Sequence, residues 1–267
     1  MADEAPNVSR RRRRSGRWGF RGTTVWDWLP IVGVFLIPIV IALGTWAITW
    51  QQGELEQRRV LEERYLARER ARDEALQTYL SEMGSLLLEE DLRDSERGSE
   101  VRTLARARTL TVLEMLDPER KSEAMQFLDE ANLVHTTPSK PKVPVISLEG
   151  ANLIGTDLEN ANFTGAKLEG ADLRGTDLRR AYLTDGWLIY TDLSGADLEN
   201  ADLSGVHLHV ADFRGADLRG ATGITNEELA QQAESLEGAT MPNGQKYEEW
   251  LKDREGPGDD GEIGGSS

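Results

Sequence analysis

A five-residue repeat runs without a break from Ile146 to Gly220 and constrains the fold of this chain strongly. Its 15 units share one register, with leucine or phenylalanine at the centre and a small residue, usually alanine or threonine, two positions earlier. A period of five fits neither a helix, which repeats every 3.6 residues, nor a strand, which repeats every two. The repeat therefore predicts a solenoid in which each unit stacks on the next and the apolar positions face inward.

Units such as ADLRG, ADLEN and ANLIG resemble the A-(D/N)-L-X-X repeats of the pentapeptide-repeat family, and the resemblance covers roughly a quarter of the chain. It implies a right-handed, quadrilateral β-helix with one pentad on each side, so that 15 pentads make nearly four coils. The predicted fold class is mixed, because a single transmembrane helix and an α-helical segment precede this β-helix. We therefore expect a membrane-anchored protein of bacterial type.

In that geometry, residues one coil apart stack about 4.8 Å apart, as neighbouring strands do. One outward column alternates in charge along Glu159, Arg179, Glu199 and Arg219. Such alternation predicts a ladder of favourable pairs. The column beside it is acidic throughout, with Asp157, Asp177, Asp197 and Asp217. Aspartate can accept hydrogen bonds from backbone N–H groups at tight turns, so we interpret these residues as turn residues rather than ligands.

A third side of the predicted solenoid departs from this polar pattern. Its outward positions in the later coils include Trp187, Ile189, Tyr190, His207 and His209, called the aromatic patch below. Stacking predicts Trp187 on His207 and Ile189 on His209. An apolar, aromatic surface on an otherwise acidic molecule is a candidate binding site for a protein partner, whose identity the sequence does not give. The alternative is that the C-terminal tail folds back and covers it.

His207 and His209 also have the spacing of a metal-binding pair. Two ligands do not complete a zinc site, and the chain contains no cysteine. The sequence therefore predicts neither a metal site nor a cofactor.

The N-terminal 50 residues carry the features of a membrane anchor. Residues 1–25 are predicted to be disordered, and the run Arg10 to Arg14 indicates a topology signal that contacts anionic lipid, with nucleic-acid binding as the alternative. Residues 26–50 are predicted to form a transmembrane helix, because the 23 residues from Trp28 to Trp50 carry no charge. That length spans the roughly 30 Å hydrocarbon core.

Tryptophans mark both ends of this span and are predicted to anchor it at the two membrane interfaces: Trp26, Trp28, Trp46 and Trp50. The lipid bilayer is thus the predicted partner of residues 28–50. A cleaved signal peptide is the alternative, but the apolar run is longer than a usual signal core. Arginines before the span favour a cytoplasmic N-terminus of a single-pass cell-membrane protein, although five arginines between residues 58 and 70 weaken that bias.

Residues 51–134 are predicted to form a helical stalk and a small helical module, either a bundle or a coiled-coil dimerisation element. Leu76, Leu80, Met83 and Leu87 share one helical face. A second helix is predicted from Val101 to Leu116. Asp117 followed by Pro118 is a helix start, and the third helix should run to about Leu133.

Residues 135–145 form a proline-rich linker into the repeat, which occupies residues 146–220. Residues 221–254 are predicted to cap its open end, since exposed terminal coils are adhesive edges. Thr225 and Glu228 form a capping box, and Leu236 and Met241 centre two further pentads that are out of phase. A last helix should span Tyr247 to Arg254, and residues 255–267 are predicted to be disordered.

No catalytic motif is present, so the chain is predicted not to be an enzyme. The net charge is −16, of which residues 1–50 contribute +4 and the rest −20, so the acidic repeat should not bind nucleic acid directly. The favoured function is a membrane-anchored scaffold that binds a protein partner. The alternatives are an acidic DNA mimic acting on a DNA-binding protein such as gyrase, and a structural envelope protein that forms homo-oligomers through residues 76–134.

Overall fold

The computed structural model describes residues 25–136 and 144–255, which divide into two compact units at the junction of Tyr65 and Leu66. The predictions for the arginine-rich N-terminus, for most of the proline-rich linker and for the C-terminal tail lie outside the described residues. So do the side chains of Trp26 and Trp28.

The first unit contains most of helix α1, which extends from Val25 to Leu88. Its window from Gly33 to Trp50 has a mean hydropathy of 1.9, and among the described residues this helix alone is long and apolar enough to cross a membrane. The side chains of residues 34–50 are exposed, and the Trp46 and Trp50 rings stack with their centroids 6.1 Å apart. A signal sequence near the N-terminus has the same length and apolar composition, so these two properties do not distinguish it from a membrane anchor.

The second unit begins with residues 66–88 of α1, followed by α2 (Glu100–Met115) and α3 (Pro118–Glu130). The Asp117 side chain caps α3 by accepting a hydrogen bond from Arg120 N, and Pro118 occupies the first turn, as the sequence predicts. The third helix ends before the predicted Leu133, because Asn132 adopts a left-handed φ of 56° that leaves the helical path.

The three helices pack around a small core of Tyr79, Met83, Leu113 and Leu128. Inside this core, the Tyr79 hydroxyl forms a 2.9 Å hydrogen bond with Thr109 Oγ1. Burial raises the pKa of the Tyr79 hydroxyl, which therefore stays neutral. The pair links α1 to α2 without leaving a buried polar atom unpaired.

The repeat forms a stack of coils in which residues 20 apart are joined by parallel β-bridges, such as Asn152 with Asp172 and Asp172 with Asp192. Successive bridges are five residues apart, so each coil has four sides. Every bridge is isolated, and the described residues contain no longer strand. The coarse prediction of a β-helical solenoid therefore holds, with single bridged residues in place of strands. Its right-handedness stays an expectation from the family.

Each side of a coil ends in a left-handed residue, which turns the chain through the corner. All 15 pentads have a positive φ at the last position: nine times it belongs to glycine, and six times to Asn160, Arg180, Asp185, Tyr190, Asn200 and Val210. The Leu or Phe at each pentad centre is at most 4% exposed. The corners thus let one large side chain point inward on every side.

Helix α3 covers the N-terminal end of the solenoid. Ser122 Oγ accepts a 2.9 Å hydrogen bond from Asp157 N, and Asp129 Oδ2 accepts one of 3.2 Å from Asn162 N. The first coil has no preceding coil to accept from these N–H groups. Side chains of α3 therefore take the place of a missing coil.

Helix α4 (Asn226–Gln232) lies where the first side of a fifth coil would be, and the Thr225–Glu228 capping box that the sequence predicts starts it. Beyond α4 the coil resumes, and Ser235 bridges Asp212, 23 residues earlier. The pentads after α4 are three residues out of register with the main repeat, because the segment that contains the helix is three residues longer than the pentad it replaces. Leu236 and Met241 are buried as centres of this last partial coil.

Helix α5 (Tyr247–Glu255) closes the C-terminal end. Trp250 is 6% exposed, and Glu248 Oε1 accepts a 2.6 Å hydrogen bond from Gly238 N. Within the described residues, both ends of the solenoid are therefore covered by helices.

Candidate protein-interaction surface

The aromatic patch lies on the first side of the third and fourth coils. Trp187 is bridged to Lys167 in the coil before it and to His207 in the coil after it. The Trp187 and His207 ring centroids are 4.6 Å apart at an angle of 49°, and Lys167 Nζ lies 6.0 Å from the Trp187 ring. The predicted stacking of Trp187 on His207 is thus present, with a cation–π contact beside it. The stacking of Ile189 on His209 stays a prediction.

The aromatic patch is open to solvent in the part of the chain that the structure describes. Trp187 is 42% exposed and Tyr190 67%, while His207 and His209 are also exposed and Ile189 is half-buried. The described C-terminal residues, up to position 255, leave these side chains uncovered. The C-terminal tail, which the sequence predicts as an alternative cover for the patch, extends beyond position 255.

Two corners on the side that carries the patch are strained. Tyr190 and Val210 have φ values of 59° and 61°, although the matching corners of the first two coils are Gly150 and Gly170. An L-residue in this conformation costs roughly 1–2 kcal/mol, and a β-branched residue such as valine is a true outlier there. Backbone strain of this kind clusters at functional sites, although Arg180, away from the patch, has the same conformation with a φ of 57°. Tyr190 and Val210 both project from the side that carries the patch.

On the charged side opposite the patch, in contrast, the side chains pair with one another. Arg179 pairs with Glu159 at 3.2 Å and Arg219 with Glu199 at 3.3 Å, which are the first and last steps of the predicted ladder. Asp177 Oδ1 accepts a 3.1 Å hydrogen bond from Arg179 N, the predicted turn role. The hydrogen bond from the Arg179 side chain also lowers the pKa of Asp177. These carboxylates are occupied within the protein.

The described residues hold no group of three or more His, Asp or Glu side chains that could bind a metal ion. Sequence reasoning missed Tyr182, which is 54% exposed on the side next to the patch. Its signal was a tyrosine where most pentads have aspartate or asparagine. Tyr182 is not on the patch and makes a matched control for it.

Comparison with known proteins identifies the type of repeat in this chain. A family model described as pentapeptide repeats matches residues 146–185 and 188–222, in eight copies. A solved pentapeptide-repeat protein of the Arabidopsis thaliana thylakoid lumen is 31% identical over 35% of this chain and 60% of its own, with a TM-score of 0.29. No curated protein sequence matches the chain.

Two further solved structures match less closely in sequence. HetL of Nostoc sp. strain PCC 7120, a pentapeptide-repeat protein involved in heterocyst differentiation regulation, is 29% identical over 40% of this chain and 66% of its own (TM-score 0.22). QnrB1, a plasmid-mediated fluoroquinolone resistance protein, is 24% identical over 29% and 39% (TM-score 0.26). The matches thus span less than two thirds of these proteins. Residues 146–222 of this chain are therefore a run of pentapeptide repeats, flanked by helices that the family model does not cover.

Proposed function

We propose that this chain is a non-enzymatic interaction module, anchored in a membrane by the first part of α1, which presents the aromatic patch to a protein partner. The observation that carries the proposal is the open stack of Lys167, Trp187 and His207 with Tyr190 held beside it in a strained backbone. Tryptophan and tyrosine dominate the binding energy of protein interfaces. Because the solenoid fixes the backbone, little conformational entropy would be lost when the partner binds.

The DNA-mimic interpretation has less support from the geometry. It draws on the charge of −7 of residues 146–220, which carry 13 acids and six bases. The aspartates of the acidic column accept hydrogen bonds from backbone N–H groups, and three of them, Asp177, Asp197 and Asp217, also pair with arginine. We therefore do not propose gyrase or a similar enzyme as the target.

The anchor makes a prediction about membrane retention. Ile37 and Ile41 lie one turn apart in the span, and both are 62% exposed. Replacing both by arginine should release the chain from membranes washed with alkaline carbonate, since each charge costs about 2.5–3.5 kcal/mol near the centre of a bilayer. The control carries leucine at both positions and should stay in the pellet.

Mass spectrometry of the retained chain distinguishes an anchor from a signal peptide. The membrane-bound protein should still contain residues 26–50. A mature form beginning after Trp50, or release of the unaltered chain by carbonate, would refute the anchor.

The aromatic patch makes a prediction about partner binding. Tyr190→Gly places glycine where nine other pentads have it, so it should not destabilise the fold. Combined with Trp187→Ala, it should weaken the binding of any partner by about 30-fold or more, since a single hot-spot residue contributes 2 kcal/mol or more. The measurement is quantitative co-purification of the full chain from its own cells.

The control for this experiment is Tyr182→Ala, which removes an exposed aromatic side chain from the neighbouring side. It should leave the set of co-purifying proteins unchanged. If the double variant retains every partner that the unaltered chain captures, the patch is not the binding site.

A further inference from the structure

Glu169 differs from the other acids on the side of the solenoid that carries the aromatic patch. Its Oε2 atom is shielded from solvent, and within the residues that the structure describes no donor lies at hydrogen-bond distance from it. A carboxylate oxygen in this state has lost its hydration without gaining a partner, which costs free energy. Since such atoms are rare in folded proteins, this one indicates a site that a donor from another molecule completes.

The acid one coil earlier in the same column is already paired. Lys167 Nζ lies 3.3 Å from Glu149 Oε1, and Arg106 Nη2 lies 3.8 Å from Glu149 Oε2. Lys167 also reaches the Trp187 ring, at 6.0 Å from its centroid. Both cations therefore balance the charge of Glu149 and leave that of Glu169 unbalanced.

The corner of the coil next to Glu169 is open. Gly170 occupies this corner, and a Cβ atom added there would meet nothing within 4 Å. Tyr190 occupies the same corner one coil later, about 4.8 Å away along the stack, and its side chain is exposed. The open position at Gly170 thus lies beside the Glu169 carboxylate and directly under Tyr190, and it is called the corner niche below.

A carboxylate and an aromatic side chain around one open corner favour a cation, because both attract positive charge. Lysine fits the corner niche better than arginine. Its ammonium group is a compact charge that donates to a single oxygen, whereas the planar guanidinium group pairs best with both oxygens of a carboxylate. The rest of the protein has the matching sign, since residues 51–267 carry a net charge of −20.

We propose that the corner niche receives a lysine side chain of the partner protein, whose ammonium group donates a hydrogen bond to the Glu169 carboxylate and lies against Tyr190. This inference rests on the proposed function, because it defines the chemistry of the partner that the aromatic patch binds. Glu169 is only half-buried as a residue, so a rotation of its carboxylate brings Oε2 into the niche. The strained corner at Tyr190 then has a use, since glycine there would leave the lysine without a ring to contact.

The test is carbodiimide crosslinking of the full chain in membranes of its own cells. This reagent joins a carboxylate to a lysine amine in contact with it, with loss of water. Mass spectrometry should identify an amide bond between Glu169 and a lysine of one other protein. Tyr190→Gly should lower the yield of this adduct at least tenfold, and Tyr182→Ala should leave it unchanged.

The absence of any lysine adduct at Glu169 would overturn the proposal. So would an adduct of equal yield from Glu123, an exposed acid on α3, because this would show contact by charge alone.

A second experiment measures the affinity of the purified chain for the protein found in the adduct. Glu169→Gln keeps the shape of the side chain and removes its charge. It should weaken binding by about tenfold or more, as expected when a hydrogen bond between two charged groups is lost. Glu123→Gln makes the same change of charge on α3 and should alter the affinity less than about twofold.

Thermal unfolding of the same variants excludes a merely structural role. Glu169→Gln should not lower the unfolding temperature, because Oε2 makes no hydrogen bond within the described residues. A less stable variant that binds as tightly as the unaltered chain would overturn the proposal.

The outcomes separate this inference from the proposed function. If Trp187→Ala with Tyr190→Gly releases the partner but Glu169→Gln retains it at full affinity, the patch binds a partner without a lysine in the niche, and this inference alone fails. If the double variant retains every partner, the proposed function fails as well.

Discussion

Replacing Phe213 by alanine should lower the free energy of unfolding by about 3–5 kcal/mol. Phe213 is fully buried at the centre of its pentad, in the fourth coil. Removing its ring leaves a cavity that neighbouring coils cannot fill, because bridges above and below fix their backbones. Such a loss is a large share of the 5–15 kcal/mol by which folded domains are usually stable.

The control is Phe213→Leu, because leucine occupies the same position in 13 of the 15 pentads. It should cost less than about 1.5 kcal/mol. Urea unfolding of the full chain in detergent, followed by circular dichroism, measures both variants. Equal losses for alanine and leucine would show that Phe213 does not fill the core as described.

Replacing Gly223 by alanine should lower the free energy of unfolding by about 2–5 kcal/mol, and two effects add. Gly223 has a φ of 80°, and left-handed backbone costs an L-residue roughly 1–2 kcal/mol. A Cβ atom at Gly223 would also overlap the backbone of Ser204 well inside van der Waals contact. Forced overlap of this kind costs about 1–3 kcal/mol. The chain needs glycine here to leave the coil and enter α4.

Gly195→Ala separates the two effects. Gly195 has a φ of 68°, but an added Cβ would meet no atom within 4 Å. The substitution should therefore cost only about 1 kcal/mol, the conformational part. If both substitutions destabilise the chain equally in the same unfolding assay, crowding at Ser204 is not what makes Gly223 necessary.

The sequence alone predicts the repeat because one period determines both which residues face inward and which ones stack. The pairing of Glu159 with Arg179, and the stacking of Trp187 on His207, follow once the coil length is assumed. The helix starts at Asp117 and Thr225 are local signals, which a few adjacent residues carry.

Features that depend on distant parts of the chain could not be predicted in this way. The hydrogen bonds from the first coil to Ser122 and Asp129 join α3 to residues that lie more than 30 positions later. No local pattern marks them, so the sequence predicts a helical module joined by a linker and does not indicate that α3 caps the N-terminal end of the solenoid.

The aromatic patch lies between these two cases. Its residues stand out in the sequence because they break the polar pattern, and their columns follow from the repeat. The strain at Tyr190 and Val210 cannot be deduced from the repeat, since left-handed corners become visible only when the backbone conformation is known. That strain adds a physical reason to regard the patch as functional.

The most direct test of the central claim is crosslinking from the patch in living cells. A photoreactive amino acid at position 190 of the full chain should yield a discrete adduct with one partner protein after irradiation. Trp187→Ala should abolish that adduct, and the same photoreactive residue at position 182 should give none. Adducts of equal yield at both positions, or none at position 190, would contradict the assignment of the aromatic patch as the partner-binding surface.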